Sequence, residues 1–407
     1  MFESLEQMPR KELEHRWQQC RTALAAQCPQ AGGLMVFSKL NIYYLSGVMA
    51  PGVFWLPLEG EPVLLLRRGV ERAQLESTMD NMLVFRSYRE LEGLIHDAGG
   101  AVSAMVAAEM KGLPWSLAGN LQKHMHAVTF IPGDGVIAKA RSIKTDWEMT
   151  KMRLCGKRHH ECLHDLIPEQ IRPGMTEREI SHKTWEVFMS RGSMGILRMG
   201  AFGEECFLGH ASAGESGNYP TVFNGPLGLR GEHPAVPFLG YAGKVWKKGE
   251  PLGLDCGFSL EGYSTDKTQT FWAGGPSTIT NEARSAHSFC MDVQNWAAEN
   301  LKPGSIPSEL YAHCLAWAEK EGMAEGFMAL PPNKVDFLGH GIGLSVDGYP
   351  VVAKGFDEPL ELNQTLALEP KVGIPGLGMV GVENTFVVTE KGGESLTGDS
   401  FDMICIE

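Results

Sequence analysis

Asp255 closes the apolar run Leu252-Gly253-Leu254, and Asp266 stands in a second strand-like run beyond the turn-prone stretch Ser259-Leu260-Glu261-Gly262. A hairpin centred between Leu260 and Glu261 sets these two carboxylates directly opposite each other. Cross-strand partners share a face with Cβ atoms about 5 Å apart, and like charges there are destabilising. The last third of the chain repeats the arrangement. Glu369 and Glu383 occupy apolar strand-like runs around Ile374-Pro375-Gly376-Leu377-Gly378, and a hairpin centred on Gly376 opposes them too. Glu369 precedes Pro370, which drives it toward extended geometry. Two opposed acid pairs in apolar strands require a shared positive charge.

His340 lies between glycines in "FLGHGIGLSV", where backbone and ligand can approach closely. Four carboxylates and one imidazole form a donor set for two divalent metal ions about 3.5–4 Å apart, joined by bridging carboxylates at a hydrolytic centre. Manganese is the expected ion, and cobalt, zinc or iron also suits these ligands. Taken singly, each element has a bland role: an Asp can cap a turn, Gly-His-Gly can be a loop, and an edge-strand acid is usually solvated. Their combination points to a metal centre.

At 407 residues the chain is too long for one ordinary core, and its 43% hydrophobic and 21% charged residues are those of a globular protein. A net charge of −13 argues against nucleic acid or an anionic membrane as partner. No apolar stretch approaches the ~20 residues of a membrane span. The start, "MFESLEQMPRKELEHRWQQC", is charged and helix-like, without a signal-peptide core. Nine cysteines without CxxC spacing read as reduced core residues, so the cytoplasm is the expected compartment.

Residues 1–138 mix strand-like runs ("GGLMVFSKLNIYYLSG", "PVLLLRR", "NMLVFRSY", "AVSAMVAAEM") with helical ones ("KELEHRWQQCRTALAAQ", "GVERAQLESTM"), as in an α/β domain. Residues 139–407 have a different texture. Thr145 with Glu148, and Thr176 with Glu179, have capping-box spacing and open two helices. Residues 203–245 are rich in Gly and Pro and read as one long loop, a kind that is usually functional. Helices are expected over 281–300 and 307–322, with strand and turn from 335 onward.

The order Asp255, Asp266, His340, Glu369, Glu383 resembles the five-ligand signature of the pita-bread metallopeptidases: methionine aminopeptidases, Xaa-Pro aminopeptidases and Xaa-Pro dipeptidases (prolidases). The stretches "DCGFSLEGYSTDKTQTF", "GHGIGL", "LEPKVGIPG" and "VENTFVVTEKGGESLT" carry the likeness. It continues in "ARSIKTDWEMTKMR", "RPGMTEREI" and "NIYYLSGV". The resemblance implies an α+β protein: an N-terminal creatinase/prolidase-like α/β domain, then a C-terminal pita-bread catalytic domain, usually in a homodimer. It implies that Asp255 chelates one metal and His340 the other. Asp266 and Glu383 would bridge both, and Glu369 would ligate the His340 metal while shuttling a proton. A hydroxide between the ions would attack a peptide carbonyl.

Three positions depart from the proline-specific pattern. Phe238 in "AVPF" and Asp347 in "SVDGYP" stand where substrate-facing histidines are usual, and Gly381 stands where an Arg is common. Phe238, Asp347 and His210 are therefore the candidate substrate-binding residues, with His210 or His233 as substitute for the missing imidazole. The leading expectation is a metal-dependent, Xaa-Pro dipeptidase-like hydrolase acting on a small peptide. Alternatives are an enzyme of the same fold acting on a small non-peptide amide or related compound, and a non-catalytic peptide-binding module. Retention of all five ligands weighs against the last, because opposed carboxylates are costly to keep.

Overall fold

The structure is a computed structural model that describes residues 6–407. The helix expected at the N-terminus begins in part outside the described residues, in 1–5, and α1 itself spans Arg10–Gln27. The chain divides into two compact units, the first ending at Arg141 and the second running Ser142–Glu407.

The first unit is built on β1 (Gly33–Val36), β2 (Gly52–Pro57), β3 (Val63–Leu66), β4 (Met82–Val84), β5 (Met105–Ala108) and β6 (Thr129–Pro132). They form one sheet in the order β4-β3-β2-β1-β5-β6. The helices are α2 (Lys39–Ser46), α3 (Val70–Glu76), α4 (Leu91–Asp97) and α5 (Trp115–His124), with α6 (Asp134–Ser142) following in the chain. Helix α2 corrects the sequence reading, which made "NIYYLSG" part of a strand. Ser38 caps it by accepting from Asn41 N–H, and Gly47 ends it in the left-handed conformation. Start and stop signals outweigh the strand preference of Ile42, Tyr43 and Tyr44.

In the second unit both capping boxes are present, at the starts of α7 (Asp146–His160) and α8 (Glu177–Ser190). Next come the short pair β7 (Ile196–Arg198) and β8 (Glu205–Phe207), then β9 (Gly209–Ala213), β10 (Pro251–Leu260) and β11 (Tyr263–Ala273). Helices α9 (Asn281–Glu299) and α10 (Pro307–Lys320) follow close to the expected spans. The remainder is strand and turn, as expected: β12 (Phe337–Gly341), β13 (Gly348–Ala353), β14 (Thr365–Leu368), β15 (Lys371–Ile374), β16 (Gly378–Gly381), β17 (Asn384–Thr389), β18 (Gly392–Ser395) and β19 (Ile404–Ile406). One sheet has the order β19-β11-β10-β9, and another β13-β12-β14-β17-β18. No helix among the described residues is long and apolar enough to cross a membrane.

Residues 203–245 are therefore not one unbroken loop. Gly209–Ala213 pairs with the open edge of β10 because its residues alternate in kind, His210 and Ser212 against Ala211 and Ala213. That alternation runs through the whole sheet. Ala211, Ala213, Leu252, Leu254, Cys256, Phe258 and Phe271 pack on one face with Cys155, Ile180 and Phe188 from α7 and α8. Strand periodicity sends the intervening residues to the other face. Asp255 is among them. Its place in an apolar run thus reflects a strand that is apolar on one side only.

Candidate metal centre

The β10–β11 hairpin has a different register from the one the sequence suggested. Its turn is Glu261-Gly262, both at positive φ (51° and 88°), which is the two-residue hairpin geometry that favours Gly at its second position. Leu260 pairs with Tyr263, so Asp255 faces Thr268 and Asp266 faces Gly257. The two acids are diagonal neighbours, not direct partners. Moving the turn by one residue changes each partner by two, and that preserves the face. Asp255 and Asp266 still point to the same side, and His210 pairs with Asp255 from β9 to extend the row.

The β15–β16 hairpin is centred on Gly376 as expected, with Ile374 opposite Gly378 and Lys371 opposite Gly381. Glu369 and Glu383 lie just beyond its paired ends. Glu369 leaves β14 in the chain and donates its N–H to the Leu338 carbonyl at 2.9 Å. Glu383 is tied to the first hairpin: Thr268 Oγ1 donates to Glu383 Oε2 at 2.9 Å. Next to it, Thr385 Oγ1 accepts from Asp266 N–H and donates to the Asp266 carbonyl, both at 2.9 Å.

His340 is held on β12 opposite Ala367. A Cβ on either flanking residue would strike backbone, at 2.2 Å from the Ala367 carbonyl oxygen for Gly339 and 2.3 Å from that of Tyr349 for Gly341. The Gly-His-Gly sequence is thus a packing requirement as well as a clearance for ligand. His340 Nδ1 lies 3.2 Å from the Gly341 carbonyl, which can only accept. The proton therefore sits on Nδ1, and Nε2 is left for the cleft. Nε2 is 3.6 Å from Glu369 Oε1 and 3.8 Å from both Glu383 Oε1 and Asp347 Oδ1.

Two clusters that could each hold an ion result, Asp266–His340–Glu383 and Asp255–Glu369–Glu383, each with its candidate donor atoms within 4.8 Å of one another. They open into a cleft that is also lined by His210, Phe223, Cys206 and Asp347. Oxygen-rich donors with one imidazole Nε2 suit a divalent transition metal. The sequence reading missed one group here. Lys371, buried and two residues beyond Glu369, places Nζ 3.3 Å from Asp255 Oδ2, 3.0 Å from Glu369 Oε2 and 2.8 Å from Glu383 Oε2. A lone cation in the apolar stretch "LEPKVGIPG" was the available signal.

The crowding of acids shows in their proton affinities. Burial pushes the Asp255 carboxyl up to about 6 against the pull of Lys371. Burial, then the charge of Glu383, pushes Glu369 up to about 8. Asp266 is raised by burial and by Glu383 and Asp255. Glu383 alone moves down: burial opposes its charge, but Lys371 and His340 outweigh burial. His340 is raised despite burial because Glu383, Asp347 and Glu369 surround it. Further positive charge at this cleft would relieve the strain on all four acids.

The substrate candidates divide. Asp347 lines the cleft, and so does His210, which packs on Phe223 with ring centroids 4.9 Å apart. His210 Nε2 is buried without a hydrogen-bond partner among the described residues. Burial and the nearby Lys371 push its pKa down to about 4, so the ring is neutral. Phe238 does not line the cleft. Leu239 bridges to His210 from outside β9, which leaves Phe238 beyond the sheet edge, accepting from Glu232 N–H. Phe223 is the cleft aromatic instead. His233 is an exposed turn residue whose Nδ1 accepts from Ala235 N–H, so it supplies no cleft imidazole.

Comparison with known proteins agrees with this picture. Residues 150–390 match the family described as Metallopeptidase family M24, and residues 16–143 match the Creatinase/Prolidase N-terminal domain. The chain is 23% identical over 367 residues to the Xaa-Pro dipeptidase of Pyrococcus furiosus, covering 89% of this chain and 92% of that protein. It is 31% identical over 268 residues to the Xaa-Pro dipeptidase of Lactobacillus helveticus, covering 66% of this chain and 63% of that one. The fold is similar to the solved Xaa-Pro dipeptidase from Bacillus anthracis, with a TM-score of 0.78, 22% identity and coverage of 97% and 100%. The expected creatinase-type domain followed by a pita-bread metallopeptidase domain is present.

Proposed function

The chain belongs to metallopeptidase family M24, metal-dependent enzymes in which a two-ion mechanism is typical, and on that premise we propose that it hydrolyses short peptides at this cleft. The convergence of Asp266, His340 and Glu383 beside Asp255 and Glu369 carries the reading. We assign the first three as holders of a divalent ion, with manganese as the ion of choice. When bound, such an ion supplies Lewis-acid polarisation of an amide carbonyl and acidifies water enough to react at neutral pH.

The chain's own groups would do the rest. Glu369 Oε2 is engaged by Lys371, which leaves Oε1 to accept a proton from the attacking water and pass it to the departing amine. The neutral, unpartnered His210 Nε2 is suited to a hydrogen bond with the peptide as negative charge develops on its oxygen. Asp347 sits where it would repel a substrate carboxylate and attract a neutral or cationic end. Ordinary Xaa-Pro dipeptides should therefore be poor substrates, and peptides with a blocked or basic end better ones. The nine free cysteines, eight of them buried, support a reducing, cytoplasmic setting, and a homodimer is the assembly that the family likeness favours.

The test is amine release from a panel of dipeptides, tripeptides and C-terminally amidated peptides, with manganese and with chelator. Metal-dependent release, strongest for the amidated or basic members, supports the reading. Release of no amine from any member removes it.

A further inference from the structure

The two ligand clusters differ in one respect: the second already encloses a cation. Lys371 Nζ donates to Glu369 Oε2 and Glu383 Oε2 and forms an ion pair with Asp255 Oδ2 at 3.3 Å, so its ammonium, which has no acceptor, is turned wholly toward this cluster. The side chain is fixed there. Lys371 is 1% exposed, and its cross-strand partner is Gly381, where a Cβ would lie 2.5 Å from the Pro370 carbonyl and 3.0 Å from Lys371 Cβ. Gly381, at φ 149°, thus leaves the room in which Lys371 leaves its strand.

A divalent ion bound by Asp255, Glu369 and Glu383 would compete for the same oxygens. It would also stand next to a like charge in a buried setting that screens poorly. The first cluster is different. Glu383 Oε2 accepts from Lys371, but its Oε1 faces His340 Nε2. Lys267, the neighbour of Asp266, turns to Asn384 Oδ1 at 2.6 Å on the opposite face of the strand.

We infer that Lys371 takes the place of one ion of a two-ion centre. The chain then holds a single divalent cation, at Asp266, His340 and Glu383, while the Lys371 ammonium pairs with Asp255, Glu369 and the far oxygen of Glu383. This rests on the metal-dependent reading above and replaces the expectation of two ions.

The test is metal content of the full chain, saturated with manganese, desalted and read by mass spectrometry, alongside electron paramagnetic resonance of the bound ion. The wild type should hold about one manganese per chain with the spectrum of an isolated ion, and Lys371→Met about two with a spin-coupled spectrum. About two coupled ions in the wild type overturn the inference while leaving metal dependence intact. About one ion in both proteins also overturns it, since the ammonium is then not what excludes the second. A chain that holds no manganese at all overturns the metal-dependent reading and this inference with it. Should Lys371→Met fail to fold, Lys371→Gln, which keeps most of the length and the polarity of the side chain without its charge, is read in its place against the same two outcomes.

Discussion

Thr268 and Glu383 are joined twice. The Thr268 hydroxyl donates to Glu383 Oε2 at 2.9 Å, and the backbones of the two residues also pair with each other. Thr268 faces Asp255 across β10–β11, so this contact places the acid of the second hairpin against the acid row of the first. The site is assembled by two hairpins meeting. Much of its charge is then held in place by the fold whether or not an ion is bound.

Metal removal should therefore destabilise the second unit. An ion at 100 times its dissociation constant stabilises the bound form by about 2.7 kcal/mol, and a domain of this size loses ~2–4 °C of Tm per kcal/mol. Chelation is expected to lower Tm by roughly 5–10 °C in differential scanning fluorimetry, with recovery on adding manganese. An unchanged Tm would contradict metal binding by these buried acids.

Glu369→Gln should lower turnover at least ~100-fold, the usual scale for removing a general acid or base, with a smaller effect on KM. Metal content is measured in parallel, because Asp266, His340 and Glu383 should keep their ion in the variant. Near-normal turnover would remove Glu369 from proton transfer.

Asp347→Asn should change preference more than speed. Removing the carboxylate relieves repulsion of a substrate carboxylate and weakens attraction for a cation. The ratio of kcat/KM for free-acid over amidated peptides is expected to rise about 10-fold, equivalent to ~1.4 kcal/mol. An unchanged ratio would mean that Asp347 does not face the substrate's end.

Away from the centre, His287 gives a pH prediction for stability. It is buried, its Nε2–H donates to the Phe401 carbonyl at 2.8 Å, and its Nδ1 has no hydrogen-bond partner among the described residues. Burial pushes its pKa down to about 4, and the Phe401 carbonyl and the charge of Asp402 only partly offset this. In the unfolded chain the ring titrates near ~6.5. Between these values the unfolded state binds the extra proton. Stability from this group is therefore full above ~6.5 and is lost as pH falls toward 4, by about 3 kcal/mol. His287→Gln keeps a donor without the titration, so its denaturation midpoint should fall less steeply over this range. Parallel slopes for the two proteins would contradict the assignment.

The meeting of Asp255, Asp266, His340, Glu369 and Glu383 was legible because four acids and a histidine in apolar strands are too costly to be incidental. The architecture was legible for a similar reason: capping boxes and alternation reflect local physics. The β10–β11 register was not, because the choice between turns at Leu260-Glu261 and Glu261-Gly262 depends on backbone twist. The face assignment survived, since the error was an even step. Lys371 was missed because a lysine in a strand ordinarily points to solvent, and only the meeting of two hairpins turns this one inward. Phe238 was misplaced because its position was inferred from a likeness within a Gly- and Pro-rich stretch. At Phe238 and Leu239 the chain follows the edge of β9, and Phe223 from the same stretch reaches the cleft.

The most direct test of the central claim is peptide hydrolysis by the purified full chain before chelation, after chelation and after restoring manganese. The account predicts amine release that disappears with the metal and returns with it, and that Glu369→Gln lacks even when it retains its ion. Peptide cleavage that continues undiminished in the metal-free protein would contradict it, and so would a manganese-loaded protein that releases no amine from any peptide in the panel.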